Sequence, residues 1–200
     1  CLCQILDHFH NLNVPVIHRD IKPANVMLKG VFTDTDVDMQ GVYLIDFNTA
    51  RHYNMMASRD TVLMGTRGFA APEQYGFSQS DARTDIYALG VLINYMLTGR
   101  IVAEGIYRND PRINWVIKRA TDMSPDRRYQ RVSDMALDLY YIRIGTEEKS
   151  IGIDQTNEMQ SSSEIKDTVD ISTRHKVMRF LPPGFRRGSV EHMIIGAICY

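Results

Sequence analysis

An acid, a cation and an amide lie within six positions of one another at Asp20, Lys22 and Asn25. They sit in Val16-Ile17-His18-Arg19-Asp20-Ile21-Lys22-Pro23-Ala24-Asn25-Val26-Met27-Leu28, where two short apolar β-type runs bracket a polar loop. A carboxylate fixed in such a loop can accept a proton, and an ammonium two residues on can neutralise a nearby anion. An amide oxygen can ligate Mg²⁺, which takes few protein oxygens alongside phosphates. A second acid, Asp46, ends the apolar run Val42-Tyr43-Leu44-Ile45 and can supply another oxygen ligand. Together these groups suit phosphoryl transfer, which asks a protein mainly for positioning and charge neutralisation.

The spacing His18-Arg19-Asp20-x-x-x-x-Asn25 resembles the catalytic loop of eukaryotic-type (Hanks-type) serine/threonine protein kinases of the bacterial kind, with Ile21 where the signature has Leu. The resemblance implies Asp20 as catalytic base and Lys22 as the cation at the ATP phosphate being transferred. It implies Asn25 and Asp46 as ligands of Mg²⁺. Asp46-Phe47-Asn48 resembles the family's D-F-G, with Asn48 replacing the glycine. Asn is among the few residues that tolerate a left-handed backbone, so a positive φ is expected there.

Several elements must position these groups. An apolar face at helical spacing (Leu2, Ile5, Leu6, Phe9) predicts a helix over residues 1–13, ending before Pro15. Residues 14–48 carry the loop and short strands, with an acidic insertion, Phe32 to Asp38, in a hairpin. That insertion lacks the glycine and terminal glutamate of a calcium loop, so it reads as solvated. Residues 49–73 show neither helix nor strand period, and a loop of that length inside a domain is often functional.

The long segment closes on Gly65-Thr66-Arg67-Gly68-Phe69-Ala70-Ala71-Pro72-Glu73, similar to the end of a kinase activation segment. Thr66 and Lys22 are of the serine/threonine-kinase type. A phosphate on Thr61, or on Ser58, is expected to pair with Arg19 and Arg51. Residues 84–98 are apolar nearly all round, the mark of a buried helix, with Thr84 or Asp85 as cap and Gly99 as stop. By resemblance Asp85 buttresses the catalytic loop. Two further amphipathic helices are expected over 112–144. Between them Ser124-Pro125-Asp126-Arg127-Arg128-Tyr129 is similar to the family's D-P-x-x-R motif, which pairs Arg128 with Glu73.

With 200 residues, 44% hydrophobic content and a net charge of −1, the chain holds one ordinary domain with extras, and no bulk charge argues for nucleic acid. The 3 cysteines, Cys1, Cys3 and Cys199, lie at the ends and form no disulfide framework, so a reducing cytoplasmic setting is expected. Cys1-x-Cys3 and His8-x-His10 fall about 200° apart on a helix and do not converge on zinc. No glycine-rich phosphate loop and no strand lysine of V-A-I-K type occur, so a fragment without its N-terminal lobe, inactive by itself, is expected.

Three regions follow: a mainly α kinase-like C-terminal lobe with short β hairpins at 1–145, a polar disordered linker at 146–178, and a basic, apolar tail at 179–200. The final run of eight residues is too short to span a bilayer. Two readings of it stay open: the start of a membrane helix anchoring a cytoplasmic domain, or an amphipathic tail packing on a partner. The function implied is ATP-dependent phosphorylation of protein Ser or Thr. The alternatives are a pseudokinase serving as scaffold, and a small-molecule kinase of similar fold.

Overall fold

The computed structural model describes residues 1–32, 37–53, 65–76, 79–151 and 198, with side chains described outside 31–32, 37–40 and 144–151. The described architecture is helix-rich with two small antiparallel sheets. Its elements run α1 (Leu2–His10), β1 (Val16–Ile17), a 3-10 turn (Pro23–Asn25), β2 (Val26–Phe32), β3 (Val37–Leu44) and β4 (Arg51–His52). A 3-10 turn (Pro72–Tyr75), α2 (Ala82–Thr98), α3 (Pro111–Ala120), a 3-10 turn (Pro125–Arg127) and α4 (Val132–Ile151) follow.

Helix α2 is the axis of the core. Ile86, Leu89, Val91, Leu92 and Ile93 are all buried, as are Thr84, Asp85 and Asn94 on the same helix. Its cap differs from expectation. Asp81 accepts the Arg83 N–H at 2.8 Å, and Thr84 Oγ1 accepts the Asp81 N–H at 3.2 Å. Capping three residues upstream of Thr84 leaves Asp85 inside the first turn, free for a buried role. Gly99 ends the helix at φ 69°, a left-handed turn that glycine adopts without steric cost. Leu2 and Leu6 of α1, Ile113, Val116 and Ile117 of α3, and Val132, Met135 and Leu139 of α4 pack around it. A Cβ added at Gly90 would lie 2.7 Å from Ala120 Cβ and 2.9 Å from Thr121 Cγ2, so glycine sets how closely α2 and α3 approach.

Helix α1 stops at His10, short of the expected residue 13, and Asn11 closes it by donating its N–H to Asp7 O at 3.1 Å. The hairpin β2–β3 pairs Val26 with Leu44 and Met27 with Tyr43, with a bulge between Lys29 and Gly30. The second sheet pairs Val16 with His52 and Ile17 with Arg51. It ties the start of the long segment to the strand that leads into the polar loop. Helix α4 continues to Ile151, so its last turns overlap the stretch expected as polar linker. The tail lies outside the described residues except Ile198, which is buried in the same core. No described helix is long and apolar enough to cross a membrane.

Candidate active site

The polar loop is built by local devices. Pro23 opens a 3-10 turn, where its missing N–H is no loss, and Asn25 N–H closes it on Lys22 O at 3.0 Å. Asn25 Nδ2 then donates to Asp20 O at 2.8 Å and to Asp20 Oδ2 at 3.1 Å, drawing the loop round the acid. The imidazole of His18 braces it from below. Nδ1 accepts the Asp20 N–H at 3.4 Å, so Nε2 carries the proton and donates to Ile45 O at 3.2 Å.

Asp20 is buried but for one edge, 8% exposed. Lys22 Nζ donates to its Oδ2 at 2.8 Å. Thr66 donates to its Oδ1 twice, from Oγ1 at 2.7 Å and from its backbone N–H at 3.2 Å. Lys22 Nζ also reaches Thr66 Oγ1 at 2.8 Å, closing an acid–ammonium–hydroxyl triangle between residues 44 and 46 positions apart. Burial raises the carboxyl's proton affinity. Hydrogen bonds from Lys22, Thr66 and Asn25, with the charge of Lys22, outweigh it and hold Asp20 below its usual range.

Asp46 arrives through the hairpin. The Ile45 N–H donates to Asn25 O at 2.9 Å, which sets Asp46 beside the 3-10 turn. The positive φ falls on Asp46 itself, at 63°, and not on Asn48 as the glycine replacement suggested. Asp46 Oδ1 accepts the Asn48 N–H at 3.4 Å, and a short acid tolerates the left-handed region because its side chain can bond locally in this way. Phe47 packs edge-on against His18 and Phe9, at 4.8 and 5.4 Å between ring centres. The Asn25 side chain donates to Asp20 through Nδ2, and its amide oxygen is the atom able to ligate a cation. One amide oxygen and one carboxylate fit a Mg²⁺ ion that takes its other ligands from phosphate and water.

A second tier holds the loop from behind. Asp85 is fully buried and accepts the backbone N–H groups of His18 and Arg19 at 2.9 and 2.8 Å. Gln74 Nε2 donates to Arg19 O at 2.7 Å, and Thr49 Oγ1 donates to His18 O at 3.0 Å. Arg19 is therefore gripped at both its amide and its carbonyl, in a left-handed conformation of φ 70°. Glu73 and Arg128 form a buried bidentate pair at 2.7 and 2.9 Å, with Thr84 Oγ1 donating to Glu73 at 2.8 Å.

The structure thus brings Arg19, Asp20, Lys22, Asn25, Asp46 and Thr66 to one place, and Glu73, Asp85 and Arg128 behind it. Thr61 and Ser58 lie outside the described residues. Sequence reading passed over Thr49 and Gln74, which hold the loop's carbonyls from other elements, and weighed His10, which bonds Asp85, only against zinc. A histidine in the last turn of an amphipathic helix was the one signal the sequence offered for His10.

The family model described as "Protein kinase domain" matches residues 1–170. Serine/threonine-protein kinase PknB of Mycobacterium leprae is 29% identical over 166 residues, 72% of this chain and 25% of that one. Probable serine/threonine-protein kinase PknB of Corynebacterium glutamicum is 32% identical over 166 residues, 69% of this chain and 24% of its own length. Proline-rich receptor-like protein kinase PERK3 of Arabidopsis thaliana is 29% identical over 141 residues, 69% of this chain and 26% of the plant protein. The chain belongs to the protein kinase domain family. It spans about a quarter of the length of these curated relatives.

Proposed function

We propose that this chain is the C-terminal lobe of a serine/threonine protein kinase whose N-terminal lobe lies elsewhere in a longer parent protein. The Asp20–Lys22–Thr66 triangle carries the reading. An aliphatic hydroxyl stands 2.7 Å from the Asp20 carboxylate and 2.8 Å from the Lys22 ammonium. An acceptor serine or threonine presents the same group to the same pair. In the reaction the acceptor oxygen forms a bond to the γ-phosphorus of ATP as the bond to the leaving ADP oxygen breaks. Asp20 takes the hydroxyl proton, and Lys22 offsets negative charge at the phosphate in transfer. Mg²⁺, when bound, would neutralise phosphate charge and be held by Asn25 and Asp46. The exposed apolar side chains of Met27, Tyr43, Ile45 and Phe47 support a covering N-terminal lobe over this edge.

The test is transfer from γ-labelled ATP to a mixed peptide pool by the parent chain with Mg²⁺, followed by phosphoamino-acid analysis. Label on serine or threonine is expected. Nucleotide binding without transfer would favour the pseudokinase reading. Label on a small molecule alone would favour the third class.

A further inference from the structure

We infer that Asn94 is a positioning residue for the peptide substrate, acting through Ile101 on the turn that carries Thr66; the inference rests on the Asp20–Thr66 pocket as the seat of the acceptor hydroxyl. Residues 99–110, which join α2 to α3, contain neither helix nor strand. A link of that kind must have its buried backbone groups satisfied from elsewhere. Asn94 does this from within α2, where it is fully buried. Its Nδ2 donates to Arg100 O and to Gly105 O, both at 2.8 Å, and its Oδ1 accepts the Tyr107 N–H at 2.8 Å. Both amide hydrogens and the oxygen are thus committed to the one link. A leucine would fill the same volume and satisfy none of these groups.

Ile101 lies between two of the anchors. Arg100 precedes it, and the Gly105 N–H donates back to Ile101 O at 3.2 Å, beside the Glu104 N–H at 3.0 Å. The side chain of Ile101 is set against Gly68, where an added Cβ would lie 2.9 Å from Ile101 Cδ1 and 3.3 Å from Cγ2. Gly68 belongs to a turn tied to Thr66, because the Phe69 and Ala70 N–H groups donate to Thr66 O at 3.0 and 2.9 Å. Thr66 in turn bonds Asp20 through its N–H and Oγ1. Phe69 is braced by Tyr95, the residue after Asn94, edge-on at 5.7 Å between ring centres. A peptide whose hydroxyl meets Asp20 and Lys22 must pass over this turn. Ile101 sets the height of the turn, and Asn94 sets the place of Ile101.

The experiment uses the parent kinase, a serine/threonine peptide that it labels, and the variants Asn94→Leu, Ile101→Ala and the two combined. KM for the peptide, KM for ATP and kcat are measured for each. Each single variant is expected to raise the peptide KM roughly tenfold, with KM for ATP unchanged. The double variant is expected to be no worse than Asn94→Leu alone, since both changes act through one contact. An asparagine that only supports the fold would lower the folded fraction, which reduces apparent kcat and leaves both KM values where they were.

A wild-type peptide KM in either single variant would overturn the inference, as would a double variant whose effect is the product of the two. If Asn94→Leu does not fold, Asn94→Asp takes its place; it keeps the shape and the acceptor for Tyr107 but gives up both donors. If neither folds, Ile101→Ala at its half-buried site decides alone. Asp20→Asn runs alongside as a control. Transfer indifferent to Asp20→Asn defeats the functional reading, whereas transfer that needs Asp20 with a peptide KM indifferent to Asn94 and Ile101 defeats this inference alone.

Discussion

Asp20 and Glu73 are both buried carboxylates with a cation against them, yet they are held in opposite ways. Glu73 faces Arg128, whose side chain is fully buried and whose donors are all engaged. Nε donates to Asp122 O at 2.7 Å, Nη1 to Glu73 and to Arg83 O at 3.0 Å, and Nη2 to Glu73 and to Met123 O at 3.3 Å. A planar guanidinium with every N–H committed cannot turn away. Asp20 faces Lys22, a single ammonium on a flexible stem that is 23% exposed and divides its bonds between Asp20 and Thr66. The first pair is a rivet between the end of the long segment and the turn before α4. The second is a charge contact on a flexible stem, which on the proposed function can be remade as a substrate enters. The acid proposed to react keeps a partner able to let go, and the structural acid keeps one that is not.

That contrast predicts effects of different size and kind. Glu73→Gln preserves shape but leaves Arg128 buried without a counter-charge. It should cost about 3–5 kcal/mol of stability, read as a lowered denaturant midpoint with unchanged slope. A smaller loss should follow Gly90→Ala, which forces a methyl into the α2–α3 contact at 2.7 Å from Ala120 Cβ. Overpacking of that sort costs roughly 1–3 kcal/mol, and it should lower the melting temperature while leaving the pH profile of activity alone.

Lys22→Met should move stability least and pH dependence most. The Asp20 carboxyl is raised by burial and lowered further by its hydrogen-bond partners and the Lys22 charge, for a net depression. A depressed carboxyl contributes its stabilisation above the ordinary range, near pKa 3.9, and loses it as pH falls through the folded value. Removing the ammonium therefore lifts the Asp20 pKa, and the acid limb of kcat/KM shifts to higher pH. An unmoved acid limb would show that Lys22 does not govern the charge of Asp20.

Much of the site was legible because its groups are close in sequence. Asp20, Lys22 and Asn25 share one loop, and residue types alone suggested their chemistry. The Glu73–Arg128 pair and the buttressing Asp85 were legible only through resemblance, since 55 and 66 residues separate the partners. The contacts that escaped reading are long-range and carry no local signal. The β1–β4 pairing joins two-residue strands too short to show a period. Gln74 and Thr49 reach the loop from segments without helical or strand pattern. The misplaced positive φ has a local cause: glycine replacement pointed to Asn48, but the chain turns two residues earlier, at Asp46, where a carboxylate can bond the Asn48 amide. The cap of α2 was set three residues late because Asp81 lies outside the apolar pattern that defined the helix.

On the proposed function Asp20 takes a proton while Asp46 serves the metal-bound nucleotide, and one paired measurement separates the two roles. Transfer of the γ-phosphate to a serine or threonine peptide and Mg-ATP affinity are measured together for the parent chain, Asp20→Asn and Asp46→Asn. Loss of a general base costs about 10²–10⁴-fold, so Asp20→Asn should lose transfer by that factor and bind Mg-ATP as the wild type does. Asp46→Asn should lose affinity for Mg-ATP as well as turnover. Equal transfer by wild type and Asp20→Asn would contradict the account.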